Sequence, residues 1–474
     1  MKEYKFLIGG EWRSSEEKIE IKNPYNEEVV GIVYLASKKD LDNAISIACN
    51  AFEITKRLPS YERAEILVKI AASLKKRKEE FAKTITLESG KPIKDSHTEV
   101  ERAITTFTVA SEEAKRIGGE YLPLDIAENA KGRIGITKRF PIGPIAAITP
   151  FNFPLNLVAH KLAPAIASGN PIVLKPASKT PIIALKLGEI IFETKLPKGG
   201  LSVVPCNREV GNLLVTDYRF KMLTFTGSSA VGWKMKENAG ARKRVILELG
   251  GNAGLIIHKD ANIEYAAKRA IIGAFTISGQ SCISVQRLYL HEDIYEEFLK
   301  EFLENVKKIK IGDPLDMQTD LSAMIDDNAV IRTQEWIEEA VKDGAKVLIG
   351  GKAKSRIFEP TVIENVNPKS NICSKEAFAP VVIVFKYKDI REAINEVNNS
   401  IYGLQAGIFT KDFEVIWNAY EKIEVGGVII NDIPTWRVEN MPYGGVKESG
   451  FGREGIKYAI EEMTEIKLMV INLG

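Results

Sequence analysis

From residue 133 onward short apolar runs alternate with stretches of helical spacing, and no other feature constrains the fold of this chain as much. Residues 142–149 read as a buried strand, 155–167 as a helix, 171–175 as a strand, 181–192 as a helix and 201–204 as a strand. A helix at 209–216, a strand at 222–226, a helix opening at Ala230 and a strand at 245–249 continue the pattern. Strands separated by helices pair in parallel, so the pattern predicts an open sheet with helices on both faces. Ligands of such sheets lie at the carboxyl ends of the strands. PFNFP at 150–154, KPAS at 175–178, FTGSS at 225–229 and ELGG at 248–251 all fall there.

A second alternation begins near Ile256, with strands at 288–290, 346–349, 361–364, 381–387 and 406–410 and helices at 294–306 and 329–343. It predicts a second α/β domain facing the first. Residues 1–36 read as short strands and turns, and Ser37 as a helix cap where the apolar spacing becomes helical. Residues 61–89 and 93–117 read as two long amphipathic helices with solvated charged faces. Residues 133–141 look like an exposed strand, and 466–471 like an apolar strand with no obvious partner.

Two residues suggest chemistry. An apolar helical run through Ala266, Ala270 and Phe275 leads into Gly279-Gln280-Ser281-Cys282, which puts a thiol where the chain leaves a helix and can face a pocket. A lone cysteine is more often a small buried hydrophobe. In VILELGG, at 245–251, Glu248 interrupts an apolar strand, where a carboxylate is costly without a partner or a task. A nucleophilic thiol and a carboxylate base are the two groups that take a carbonyl compound through a thioester and hydrolyse it.

PFNFP, LKPAS, FTGSSAVG, LELGG, GQSC, EAFAP and MPYGGVKESGFGRE follow one another along the chain. Together they resemble the aldehyde dehydrogenase superfamily over nearly the whole length, and PFNFPLNLVAHK with GGVKESGFGREG is most similar to its lactaldehyde dehydrogenase branch. The resemblance implies an α/β fold of two facing, doubly wound domains. A Rossmann-like NAD(P)-binding domain would take 1–116 and 141–250, a catalytic domain 251–450, and a small β-extension for oligomerisation 117–140 and 455–474. It implies Cys282 as nucleophile, the Asn152 amide and the Cys282 backbone N–H as oxyanion donors, and Glu248 as the base that hydrolyses the thioester. Read from residues alone, Asn152 is equally a turn former and Glu248 a structural partner for a lysine. Relatives that pass the acyl group to coenzyme A commonly lack this carboxylate, so Glu248 points to a free acid as product.

The same resemblance implies contacts to NADP or NAD. Thr149, Pro150 and Phe151 would lie at the first strand end, Lys175, Ala177 and Ser178 at the second, and Gly211 on a nearby helix. Gly227, Ser228 and Gly232 stand between a strand and a helix, where amides and the helix dipole can hold a phosphate. The stretch is not GxGxxG, so the usual dinucleotide fingerprint is missing. Leu249 and Gly250 would follow Glu248, while Glu376 would hold the nicotinamide ribose with Phe378 beside it. Taken singly, Lys175 and Glu376 are also explained as surface charges. Many NAD-using relatives carry a glutamate where Ser178 stands; its absence opens the site to NADP.

Ser281 precedes the nucleophile where relatives acting on phosphorylated aldehydes often carry arginine, which argues for a substrate without a phosphate. His160 can hydrogen-bond a substrate hydroxyl or carboxylate, or simply pack in its helix. Arg437 can meet a small anion or make a surface ion pair. A short 2-hydroxyaldehyde such as lactaldehyde is therefore expected, with succinate semialdehyde or glyceraldehyde 3-phosphate as rivals and a catalytically silent relative as the non-enzymatic alternative.

The 65 basic and 63 acidic residues nearly cancel, which disfavours nucleic acid or an anionic membrane as partner. Cys49, Cys206, Cys282 and Cys373 are dispersed without CxxC spacing, and the four histidines are equally scattered, so no metal site is expected. MKEYKFLIGGEW lacks the apolar core of a secretory signal, and no stretch approaches a membrane span. A cytoplasmic homodimer or homotetramer is expected.

Overall fold

The computed structural model describes residues 2–474. Its first sheet has eight strands in the order Gly450–Phe451, Arg244–Glu248, Met222–Thr226, Ile145–Ile148, Ile172–Lys175, Leu201–Val203, Phe6–Ile8 and Glu11–Arg13. The five strands from Arg244–Glu248 to Leu201–Val203 are parallel and almost entirely buried, as strands covered on both faces must be. The chain enters at Ile145–Ile148, winds outward through two strands, then crosses to the other side at Met222–Thr226. That reversal opens a crevice at the carboxyl ends of the two central strands. The register pairs Phe225 with both Ile148 and Leu247, so PFNFP, Gly227-Ser228 and Leu249-Gly250 leave the sheet at one level.

The second sheet has seven strands in the order Lys346–Ile349, Thr361–Glu364, Val381–Tyr387, Val285–His291, Ala253–Ile257, Gln405–Phe409 and Gly427–Ile430. Only the Lys346–Ile349 edge is antiparallel. The two parallel sheets with their helices form the two α/β halves that the alternation predicts. Among the described residues no helix is long and apolar enough to cross a membrane.

Three features differ from the periodicity. The helix expected over 61–89 is two helices, Ser60–Lys76 and Lys78–Ser89, because Arg77 leaves helical geometry (φ −103°, ψ 19°) and its guanidinium turns to Glu80 and Glu189. Not every charge on these helices is solvated. Glu88 accepts from the backbone N–H groups of Ile182 and Ile183 at 2.6 and 2.9 Å, capping the helix Ile182–Phe192, and Lys91 pairs with Glu99 in a fully buried contact. The tail does find a partner: Thr464–Asn472 runs antiparallel to Arg133–Pro141, which also pairs with Tyr121–Pro123. Ile466, Leu468, Met469 and Val470 remain exposed on this three-stranded sheet.

Candidate active site

A cavity of about 480 Å³ opens between the two sheets, at the level where the three central chain segments leave the first one. Cys282, Glu248, Asn152, Ser281 and Arg437 line it.

Cys282 arrives there through a reversal of the chain. The helix Ile263–Phe275 ends, and Ile277, Ser278 and Gly279 follow with φ of 55°, 54° and 68°. A Cβ at Gly279 would collide with the Ala379 carbonyl, so only glycine fits. The Ser278 hydroxyl donates to the Ser322 carbonyl at 2.8 Å, and the Gln280 side chain accepts from the Ile325 amide at 3.0 Å. These bonds hold two residues in a backbone region that L-residues rarely adopt, which is where strain tends to collect at functional sites. Burial pushes the Cys282 thiol up to about 12. Its sulfur lies 3.3 Å from the Tyr443 hydroxyl.

Asn152 sits in the PFNFP turn, and its side-chain amide donates to the Gln280 carbonyl at 3.0 Å. An amide has two N–H donors, so one remains for a ligand oxygen. The turn is fixed from below by Glu99, which accepts from the Leu155 and Asn156 amides at 2.8 and 3.1 Å at the start of the helix Asn156–Ser168.

Glu248 ends its strand buried, and neither carboxylate oxygen has a hydrogen-bond partner. Burial raises its pKa well above the ordinary value, and the neighbouring Glu454 adds to the rise, so the protonated form is favoured more than in a free carboxylate. Glycine at 444 makes room for it, since a Cβ there would come within 2.9 Å of the carboxylate. Behind it Glu454 accepts from Lys161 at 2.9 Å, and Lys161 also donates to Thr224 at 2.9 Å.

The side chain of Arg437 is buried, contrary to the surface pair considered from its sequence context. Its Nη2 lies 3.9 Å from Glu454 and 3.4 Å from a ring nitrogen of His160, its plane covers the Tyr443 ring at 3.6 Å, and its Nε has no partner. His160 does not line the cavity. It is packed behind Arg437 and bonds Glu439, which also accepts from Arg102 at 2.7 Å. Burial opposes ionisation of Glu439, but His160, Arg102 and Arg437 outweigh it and hold the carboxyl well below the usual range. Burial pushes the His160 pKa down and Arg437 adds to the fall, while Glu439 pulls the other way.

The expected cofactor residues divide. Pro150, Phe151, Gly227, Ser228, Leu249, Gly250, Glu376 and Phe378 line the same cavity as Cys282. Lys175, Ala177 and Gly211 lie beyond it along the strand ends; a Cβ at Gly211 would come within 2.9 Å of the Lys175 side chain, so glycine lets the lysine pass. Exposed Ser178 borders a separate small cavity with Lys179 and Arg356. A Cβ at Gly232 would collide with Leu249, so this glycine serves helix packing against the strand end. A dinucleotide fits these groups on three observations. Ser228 precedes the helix Ser229–Asn238 without a side-chain cap, leaving the Ser229 and Ala230 amides free. Lys175 has no carboxylate partner among the described residues. The buried hydroxyls of Thr149 and Thr226 are also without partners. No group of three or more His, Cys, Asp or Glu that could hold a metal ion occurs among the described residues.

Tyr443, Glu454, Glu439, Lys161 and Arg102 were not singled out from the sequence. A signal for Lys161 was present, since a lysine inside the apolar run LVAHKLAPAIA must be paired or costly. Tyr443 and Glu454 lay inside the MPYGGVKESGFGRE motif, where nothing local distinguishes a reactive neighbour from a turn.

Residues 12–469 match the model of a family described as aldehyde dehydrogenase. The chain is 47% identical to a 3-sulfolactaldehyde dehydrogenase of Priestia aryabhattai, over 100% of this chain and 99% of the relative. It is 44% identical to a lactaldehyde dehydrogenase of Methanococcus aeolicus, over 98% and 99% respectively. Among solved structures, aldehyde dehydrogenase 21 from Physcomitrella patens in complex with succinate is 48% identical with a TM-score of 0.98, covering 99% of this chain and 98% of that one. A glyceraldehyde-3-phosphate dehydrogenase from Methanocaldococcus jannaschii complexed with NADP is 40% identical with a TM-score of 0.92, covering 97% and 99%.

Proposed function

This chain belongs to the aldehyde dehydrogenase family, and from that premise we propose that it oxidises a short 2-hydroxyaldehyde such as lactaldehyde to the carboxylic acid, with NADP or NAD. The observation that carries the reading is the shared cavity: a thiol, an unpartnered carboxylic acid and a free amide donor line one space at the switch point of a parallel sheet.

In this reading Cys282 attacks the aldehyde carbon as a thiolate, forming the C–S bond. The carbonyl oxygen becomes an oxyanion, to which Asn152 offers its second N–H and Cys282 its backbone N–H. A bound nicotinamide dinucleotide supplies the acceptor for the hydride that leaves this carbon. Glu376, Lys175 and the amides after Ser228 would hold it. Glu248, once ionised, takes a proton from water as the water oxygen adds to the thioester carbon; the C–S bond then breaks and returns the thiolate.

Both named relatives act on lactaldehydes, one of them carrying a sulfonate. A second reading, that the substrate bears an acid group, is favoured by Arg437, a buried guanidinium on the cavity wall with Nε unpartnered. Succinate semialdehyde and glyceraldehyde 3-phosphate are the rivals within it. The deciding experiment compares kcat/KM for lactaldehyde, glycolaldehyde, glyceraldehyde, 3-sulfolactaldehyde, succinate semialdehyde and glyceraldehyde 3-phosphate. A tenfold win for the phosphorylated compound, about 1.4 kcal/mol of extra transition-state binding, rejects the assignment.

The division into 1–116 with 141–250, 251–450, and 117–140 with 455–474 belongs to the same reading, as does a cytoplasmic homodimer or homotetramer. The exposed apolar residues of Thr464–Asn472 support assembly through that sheet.

A further inference from the structure

We propose that Tyr443 is a further catalytic residue, whose phenol donates a hydrogen bond to the Cys282 sulfur and stabilises the thiolate that attacks the aldehyde. The proposal rests on the reading of Cys282 as nucleophile. The Tyr443 hydroxyl lies 3.3 Å from that sulfur. Its ring is 4% exposed and packed with Ile283 and Leu404. Its backbone is locked to Glu454 by reciprocal bonds of 3.0 and 2.6 Å, so the hydroxyl cannot easily swing away.

The direction of the effect follows from donor and acceptor strengths. A thiol is a weak donor and a weak acceptor, whereas a phenol is a good donor. The contact is therefore weak while Cys282 is neutral and becomes charge-assisted when the sulfur ionises. A bond that strengthens only in the charged form lowers the pKa of the group that ionises. Cys282 needs such help, because burial opposes its ionisation and Glu376 and Glu248 oppose it too; Tyr443 and Arg437 act the other way. The phenol stays protonated, since burial and the neighbouring sulfur and Glu248 raise its own pKa. The guanidinium of Arg437 over the ring face, at 3.6 Å, draws electron density from the phenol and fixes its plane. No bond to Tyr443 forms or breaks. The thiol proton leaves to solvent through the cavity mouth, and the O–H stays on tyrosine while the negative charge passes from sulfur to the aldehyde oxygen.

Tyr443→Phe keeps the ring and its stacking and removes only the hydroxyl. Alkylation of Cys282 by iodoacetamide, read across pH from the mass of the peptide that carries it, reports the thiolate without any turnover; peptides with Cys49, Cys206 and Cys373 are scored apart. At one fixed pH below the midpoint the alkylation rate of Cys282, which tracks its thiolate fraction, should fall by about tenfold in the variant, one unit of pKa. The single-turnover burst should slow by the same factor and recover at high pH, with thioester hydrolysis unchanged. An unchanged or faster alkylation of Cys282 overturns the proposal. So does a variant that loses burst and hydrolysis equally, because that pattern marks a structural role. Turnover by Cys282→Ala, measured separately, tests the underlying reading and leaves the alkylation result independent of it.

Discussion

The Gly251 amide donates to the Glu376 carboxylate at 2.9 Å, joining the loop before the strand Val381–Tyr387 of one sheet to the strand end that carries Glu248 in the other. Gly250 makes this approach feasible, since a Cβ there would come within 2.5 Å of the same carboxylate. Glu376 thus lines the cavity as a half-buried group bonded to the backbone across the two sheets.

Glu376→Gln should raise KM for the dinucleotide by about tenfold, the loss of one charge-assisted hydrogen bond of roughly 1.5–3 kcal/mol being its upper bound. Burial raises this carboxyl to about 7, so the ionised acceptor becomes populated as pH rises through that value. KM for cofactor should fall over that window in the parent and stay flat in the Gln variant. Because the folded pKa is above the ordinary 4.5, the group favours folding fully below about 4.5 and loses that contribution as pH rises through 7. Identical pH profiles in the two proteins would remove Glu376 from the cofactor site.

Cys282→Ala should abolish cofactor reduction. Glu248→Gln should keep the first burst but lower steady turnover by roughly 10²–10⁴-fold, the range for a lost general base, and accumulate an acyl adduct on Cys282 visible by mass spectrometry. Burial raises the Glu248 pKa, so parent turnover should climb with pH as the carboxylate forms, and the Gln variant should lack that climb. Rapid turnover by the Gln variant without an adduct would show that another group activates water.

Glu99→Ala leaves Lys91 buried without its partner and frees the two amides that anchor the PFNFP turn. Breaking a buried pair from one side costs about 3–5 kcal/mol, measurable as a shift in denaturant midpoint. The double variant Lys91→Met with Glu99→Leu should recover only the part due to the unpaired lysine, since the Leu155 and Asn156 amides still lack their acceptor. A cost under about 1 kcal/mol for the single variant would mean that water reaches this pair.

Ser178→Glu places a negative charge beside the strand end where Lys175 projects, at an exposed position that needs no repacking. The ratio of kcat/KM for NADP over NAD should fall by about tenfold, 1.4 kcal/mol of charge repulsion against a 2′-phosphate. A ratio that does not move would mean that loop geometry rather than charge selects the cofactor.

The alternation of apolar runs and helical spacing was enough to specify two parallel sheets, because a strand buried on both faces and a crossover helix each leave a periodic mark within ten or so residues. The position of PFNFP, FTGSS and ELGG at strand ends followed from the same pattern. The kink at Arg77 left no such mark, since the apolar stripe runs through it unbroken and its cause, the contact with Glu189, lies on another helix. The tail at 466–471 read as an unpaired strand because its partner at 133–141 is more than 300 residues away. His160 and Arg437 show the limit most clearly. Each read as a polar group on its own segment, and only folding brings His160, Arg437, Glu439 and Glu454 together under half-buried Arg102. Charges attract through space and through a low dielectric, while sequence spacing reports only neighbours within a turn or a strand, so which charge is buried, which is neutral and which stays free for a ligand was decided by the tertiary structure alone.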